Sequence, residues 1–193
     1  MNYLQQRILA DGVVVNENIL KVDSFLNHQI DPKVVKETAK EILNYFKDKE
    51  ITKVMTIEAS GIAPALQVAT ELNVPMLFAK KTEPSTMDKD DQFTAVVHSY
   101  TKNKDSRVIV SKKYLSEDDK VLIVDDFLAN GEAARGLISL VEQAGAELVG
   151  VGIAIEKSFQ PGRQSLDDMG VDVYSVVRLA SLENKTVTFV EED

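Results

Sequence analysis

The chain has 193 residues, 44% of them hydrophobic, which suits one folded α/β domain with a sizeable core and argues against disorder. A net charge of −9 argues against nonspecific nucleic-acid binding, and the absence of cysteine excludes disulfides, thiol catalysis and cysteine-held metals. Met1 to Ala10 is too polar for a signal peptide and no apolar run approaches ~20 residues, so a soluble cytoplasmic protein with no membrane contact is expected.

Residues 1–9 read as a short helix with Tyr3, Leu4 and Ile8 on one side. Val13-Val14-Val15 and Ile19-Leu20-Lys21-Val22 read as short extended segments. A polar and aromatic connection, 23–30, then leads to a clear helix start. Asp31 is the cap, Pro32 takes the first position, and Val35, Ala39, Ile42 and Phe46 mark the apolar face. A strand at 52–57 runs into Glu58-Ala59-Ser60-Gly61 and a helix to about Leu72, a second strand-loop-helix candidate for binding an anion. Another strand covers 75–79. Residues 80–91 are polar and without periodicity, long enough for a mobile functional loop. Segments 93–100 and 107–111 pair as an antiparallel flap.

Val121-Leu122-Ile123-Val124 reads as a buried parallel strand with Asp125 and Asp126 at its C-terminal end. A short turn enters a helix marked by Ala133, Leu137, Val141 and Ala144, with Gly145 in the capping position. The backbone N–H groups of Ala129, Asn130, Gly131, Glu132 and Ala133 open that helix and point at an anion. Carboxylates beside an anion site fit one ligand that carries both phosphate and hydroxyl groups, as a ribose 5-phosphate does. A lone Asp-Asp is equally a solvated turn with a helix cap. Neither a Walker A loop nor a Rossmann fingerprint is present. Further strands follow at 148–155, where Gly150 and Gly152 allow close packing, and at 171–179 and 186–190. Residues 156–163 between them read as a loop. The pattern predicts one α/β domain over 1–193: an open, mainly parallel sheet with helices on both faces. A small hood comes from residues 1–30 and the C-terminal strands.

Asp125-Asp126-Phe127-Leu128-Ala129-Asn130-Gly131, with its Ala-rich helix entry, resembles the 5-phosphoribosyl-1-pyrophosphate (PRPP) motif of the type I phosphoribosyltransferases. Segments 20–31, 57–64 and 156–162 are similar, in the same order, to those of the bacterial purine members that use xanthine. The resemblance implies the type I phosphoribosyltransferase fold and a purine-salvage enzyme. Its reaction would transfer the phosphoribosyl group of PRPP to xanthine, giving xanthosine 5′-monophosphate and pyrophosphate. It implies a homodimer, Mg2+ accompanying PRPP, PRPP contacts at Ala129 to Ala133, and xanthine contacts at Leu20, Asn27 and Lys157. Asp125 and Asp126 are then the catalytic pair, fixing ribose hydroxyls and favouring a cationic sugar. Ser60, Gly61, Lys80 and Lys81 are the pyrophosphate candidates, and Lys80 departs from the Arg common at its position. No protein-only metal site is expected.

By residue type alone, Asn27 is a turn residue, Lys157 a surface lysine, Leu20 core, and Phe159 either core or a stacking partner for a base. His28 and His98 have no metal-site spacing and read as structural or exposed. Two rival readings share the motif. One is an enzyme using guanine or hypoxanthine. The other is a PRPP-sensing purine regulator, whose added DNA-binding domain has little room in the roughly thirty residues before the first clear helix. A third reading is an interaction protein that keeps the fold only as a scaffold.

Overall fold

The computed structural model describes residues 1–81, 89–99 and 104–191. Helix α1 (Tyr3–Asp11) starts on Asn2, whose side chain accepts from the Gln5 N–H while the Gln5 side chain accepts from the Asn2 N–H. Strands β1 (Val13–Asn16) and β2 (Ile19–Lys21) form an antiparallel hairpin. Part of the expected connection after it, Asp23–Asn27, instead closes into one wide helical turn, because Phe25 and Leu26 both turn into the core. Helix α2 (Pro32–Tyr45) begins as expected, with the Asp31 side chain accepting from the N–H groups of Lys33 and Val34.

The α/β region continues with β3 (Lys53–Ile57), α3 (Ile62–Leu72) and β4 (Met76–Ala79). Strands β5 (Gln92–Ser99) and β6 (Lys104–Ser111) pair antiparallel as the expected flap. Then come β7 (Lys120–Leu128), α4 (Glu132–Gln143), β8 (Glu147–Lys157), α5 (Gly162–Asp168), β9 (Val173–Ser181) and β10 (Thr188–Phe189). Among the described residues the main sheet has the order β10-β9-β8-β7-β3-β4, parallel except for β10. Gly145 ends α4 in the left-handed conformation expected of it, with φ +70°.

Two element boundaries differ from the sequence expectation. β7 does not stop at Val124 but runs through both aspartates to Leu128, because β8 extends as far and pairs with it up to Leu128 and Glu156. Segment 156–163 is therefore a loop only in its middle. Its first two residues complete β8, and Gly162 opens α5.

One face of the sheet packs on α1, α2 and α3, and the other on α4, α5 and the flap. Leu4, Ile8, Leu20, Val22, Phe25 and Leu26 share a core with α2, which joins the N-terminal thirty residues to the main body. The hairpin turn reaches the C-terminal end of β8, where the Lys157 Nζ donates to the Asn18 carbonyl at 2.6 Å. The flap is docked on α4 by Gln143, whose side chain donates to the Thr94 carbonyl at 2.9 Å and accepts from the Thr94 N–H at 3.3 Å.

A buried carboxylate ties this end of the sheet together. Glu156 is 0% exposed. It accepts from the hydroxyls of Ser158 and Ser175 at 2.6 Å, from Arg163 at 3.1 Å and from Arg178 at 3.3 Å. Burial pushes its pKa up, but the two hydroxyls and two guanidinium groups outweigh burial and hold it below the usual value. The network links β8, β9 and α5 on either side of Lys157.

Replacing Glu156 by Gln removes the charge facing Arg178 and Arg163, of which Arg163 keeps Asp167, and we expect a loss of about 1–3 kcal/mol at neutral pH. Because the folded-state pKa is depressed, the stabilisation is present above the unfolded-state pKa and is lost as pH falls through the lower folded-state value. The gap in urea midpoint between wild type and E156Q should therefore narrow in acid; a gap independent of pH contradicts this role.

Candidate active site

Strands β3 and β7 lie side by side in parallel register, Lys53 opposite Val121 and Met55 opposite Ile123, so their C-terminal ends share one edge of the sheet. Each is followed by a helix that begins without a side-chain cap: α3 on Gly61 and α4 on Gly131. By contrast α1 and α2 are capped by Asn2 and Asp31, while the seven-residue α5, begun on Pro161, also lacks a side-chain cap but does not follow β3 or β7. The first-turn N–H groups of an uncapped helix have no acceptor within the helix, and the helix dipole adds partial positive charge there. Two such ends on adjacent strands have the polarity to receive two anionic groups.

The loop from Ala129 to Gly131 is held from outside. Gly131 adopts φ +82°, which a residue with a Cβ rarely takes. Gly162 donates its N–H to the Ala129 carbonyl at 2.9 Å, and a Cβ at Gly162 would come within 2.3 Å of that oxygen. Arg135 braces the loop from behind, donating to the Asn130 carbonyl at 3.2 Å and the Ser165 hydroxyl at 2.6 Å and pairing with the Glu132 carboxylate. That pairing offsets the negative charge of Glu132 in the first turn. The N-terminal end of α4 opens into a cleft lined by Phe127 to Ala134, with Ile57, Lys81 and the flap residues Val97, His98 and Ser106. His98, unassigned by its sequence spacing, thus stands at the cleft, its Nδ1 2.6 Å from the Asp105 carboxylate.

The two aspartates do different things. Because β7 continues to Leu128, both lie within the strand with their carboxyl groups close together, and the pair is divided by exposure. Asp125 is 4% exposed. Its Oδ1 accepts from the Asp126 N–H at 3.0 Å. Burial, then the neighbouring charge of Asp126, pushes its pKa well above the usual carboxylate range. Asp126 is half-buried, and its charge reaches Lys157.

The basic pair is split in the same way. Lys81 lines the cleft. Lys80 exchanges backbone hydrogen bonds with Ile109 of the flap, and its ammonium lies 5.8 Å from the centre of the Phe78 ring, away from the cleft. The Lys81 N–H donates to the Glu58 carboxylate at 2.6 Å, joining β4 to the Ser60–Gly61 turn. Ser60 and Gly61 form that turn at the head of α3, beside Asp125. Residues 82–88 of the expected mobile loop lie outside the described residues.

Across from the anion site, the Lys157 Nζ sits 5.3 Å from the centre of the Phe127 ring as well as on the Asn18 carbonyl. Burial lowers its pKa, and the Asp126 charge opposes that shift. Asn27 ends the wide turn, and its Oδ1 is buried without a hydrogen-bond partner. Leu20 is 6% exposed, a core residue beside Gly12. Phe159 is 37% exposed. It is Phe127, not Phe159, that lies under Lys157. Sequence reasoning missed Phe127, Asn18, Arg135 and Gly162. Phe127 and Gly162 stood inside quoted motifs, whereas Asn18 and Arg135 carried no local signal.

The phosphoribosyl transferase domain family model matches residues 21–186. A xanthine phosphoribosyltransferase of Macrococcus caseolyticus is 60% identical, covering 100% of this chain and 98% of that protein. One of Staphylococcus aureus is 54% identical, covering 100% of each. Among solved structures, APRTase from Giardia lamblia complexed with 9-deazaadenine superposes with a TM-score of 0.75 at 22% identity, covering 92% of this chain and 98% of that one. The two uncapped helix starts, the braced Ala129–Gly131 loop and the match over most of the chain agree: this chain belongs to the phosphoribosyl transferase domain family.

Proposed function

We propose that this protein transfers the 5-phosphoribosyl group of PRPP to xanthine, giving xanthosine 5′-monophosphate and pyrophosphate in purine salvage. The observation that carries the reading is the pair of uncapped helix starts at adjacent strand ends, matching a ligand with phosphates at both ends of a sugar. The names of the two curated relatives support xanthine as the acceptor.

In this reading the N–H groups of Ala129 to Ala133 hold the 5-phosphate. The Ser60–Gly61 turn and Lys81 take the pyrophosphate. Breaking the bond from ribose carbon 1 to pyrophosphate leaves positive charge on the sugar and negative charge on the leaving group, so fixed charges around both lower the barrier. Asp126 accepts from the ribose hydroxyls and its charge favours the cationic sugar. Asp125 acts through Asp126, fixing its backbone from a buried position. The purine nitrogen that forms the new bond gives up its proton. Lys157 donates to an oxo oxygen and stabilises the negative charge that this leaves on the ring. A lysine suits an oxopurine and not the amino group of adenine. Lys80 would join the pyrophosphate site only by leaving Phe78, and Leu20 would serve as an apolar wall.

Among the described residues no three acidic or histidine side chains are grouped to hold a metal by themselves. A magnesium ion fits here as one carried largely by PRPP oxygens and water, with Asp126 as the protein carboxylate for it. Bound there, it would neutralise charge on the pyrophosphate.

We read the protein also as a cytoplasmic homodimer. No helix among the described residues is long and apolar enough to cross a membrane. Met76, Leu77 and Phe78 line an apolar surface on edge strand β4, next to the exposed Tyr114, and this supports self-association.

Initial rates with PRPP, Mg2+ and each of xanthine, guanine, hypoxanthine and adenine test the reaction. The highest kcat/KM is expected for xanthine, and absence of nucleotide from xanthine contradicts the proposal. Asp126→Asn should lower kcat roughly a hundredfold, as for the loss of one transition-state charge. Its unfolding free energy should shift by less than about 1 kcal/mol, because the side chain is not core. Parallel losses of activity and stability would place Asp126 in the scaffold instead. Lys157→Ala should raise the KM for xanthine about tenfold, the size of one charge-assisted hydrogen bond, with the KM for PRPP nearly unchanged. A loss confined to PRPP refutes the base-side assignment.

A further inference from the structure

Two buried carboxamide oxygens on the acceptor side of the site have no hydrogen-bond partner: Oδ1 of Asn27 and Oε1 of Gln160. Asn27 is already expected to meet the base. Gln160 is not, yet it is tied to the same constellation. Its N–H donates to the Lys157 carbonyl at 2.9 Å, closing a turn that brings the two side chains to one place. The Gln160 Nε2 donates to the Asn18 Oδ1 at 3.3 Å, and the Lys157 Nζ donates to the Asn18 backbone carbonyl at 2.6 Å. Both side chains thus converge on a single residue of the hairpin turn. The Asn18 Oδ1 faces the Gln160 amide nitrogen. The flipped amide would put its oxygen against the Asn18 Oδ1, acceptor against acceptor. With the Asn18 Oδ1 facing it in this way, the Oε1 of Gln160 is the end left buried and unpaired, and a buried acceptor without a donor is unfavourable until a ligand supplies one.

We propose that Gln160 is a specificity-determining residue for the purine: its carboxamide oxygen accepts a ring N–H of the bound oxopurine while Lys157 donates to an oxo oxygen. The assignment rests on the proposed function. It explains a feature that Lys157 leaves open, because a lysine alone accepts nothing and does not distinguish one oxopurine from another. The six-membered ring of xanthine carries two N–H donors, and that of hypoxanthine carries one. Two orphan acceptors, Asn27 and Gln160, suit the base with two donors. Adenine presents unprotonated ring nitrogens in their place and gives these acceptors nothing to receive.

The test is steady-state kinetics of wild type, Gln160→Met and Gln160→Glu with xanthine and with hypoxanthine, together with the KM for PRPP. Gln160→Met keeps length and removes both heads of the amide. It should lower kcat/KM for xanthine by about tenfold or more, since a site built to pair a substrate N–H discriminates strongly. Hypoxanthine should lose roughly threefold or less and the KM for PRPP should change by less than about twofold, because neither depends on a second ring donor. Gln160→Glu retains an acceptor but sets its second oxygen against the Asn18 Oδ1, so it is combined with Asn18→Ser, whose hydroxyl can donate to it; this variant should keep the xanthine-to-hypoxanthine ratio near that of wild type. Gln160→Ala, read in the same assay, covers a Met variant that does not fold. With an active wild type, equal losses for the two bases in the Met or Ala variant overturn the assignment alone and leave Gln160 a structural residue. Loss of the ratio in the combined Glu variant does the same. Absence of xanthine turnover by the wild type overturns the proposed function and the assignment together.

Discussion

The parallel register of β3 and β7 is the constraint on which the site depends. It brings two strand ends to one edge, and each is followed by a helix whose first turn lacks an internal acceptor. Leaving a helix start uncapped costs on the order of 1 kcal/mol in the free protein. In the proposed reading the ligand takes the place of the missing cap at α3 and α4. This local arrangement is necessary because the chain carries a net charge of −9, which gives an anionic substrate no general attraction. The helix ends and Lys81 must provide it at short range.

Beyond that edge, β8 carries the acceptor side. It runs alongside β7 to its end, so Phe127 and Lys157 finish close together, with the ammonium over the ring. The buried Glu156 network immediately before Lys157 fixes that end of the strand, and Gly162 and Arg135 tie the neighbouring α5 to the Ala129–Gly131 loop. Donor and acceptor sides are therefore mechanically joined through α5, while the groups facing each ligand differ. Asp125 belongs to this supporting layer. In the proposed reading its burial and its hydrogen bond from the Asp126 N–H make it a brace for Asp126.

Most of the scaffold was legible because it rests on local signals. Apolar runs marked β3, β7 and β8, Asp31-Pro32 marked the start of α2, and Gly145 marked the end of α4. The segment Ala129 to Ala133 was legible as a strand-to-helix turn because Gly131 supplies the positive φ it needs. The misses share a cause. The length of β7 is set by β8, a pairing partner, and not by its own residues, so the aspartates seemed to lie beyond the strand. The same applies to Lys80 and Lys81, where contact with Ile109 and Phe78 decides which lysine meets the cleft. Asn18 and Arg135 act through partners distant in sequence or across a helix turn, and neither has a residue type or spacing that announces it.

The central claim is that the α4 loop holds the sugar phosphate while the hairpin and the β8 end choose the base. Amide hydrogen exchange measured with PRPP and Mg2+ alone, and then with xanthosine 5′-monophosphate, tests it most directly. PRPP alone should slow exchange at residues 129–135 and leave 18–27 and 157–160 nearly as in the free protein, and the nucleotide should slow both regions. Protection of the hairpin and the β8 end by PRPP alone, with no change at 129–135, would contradict the division between the two sides.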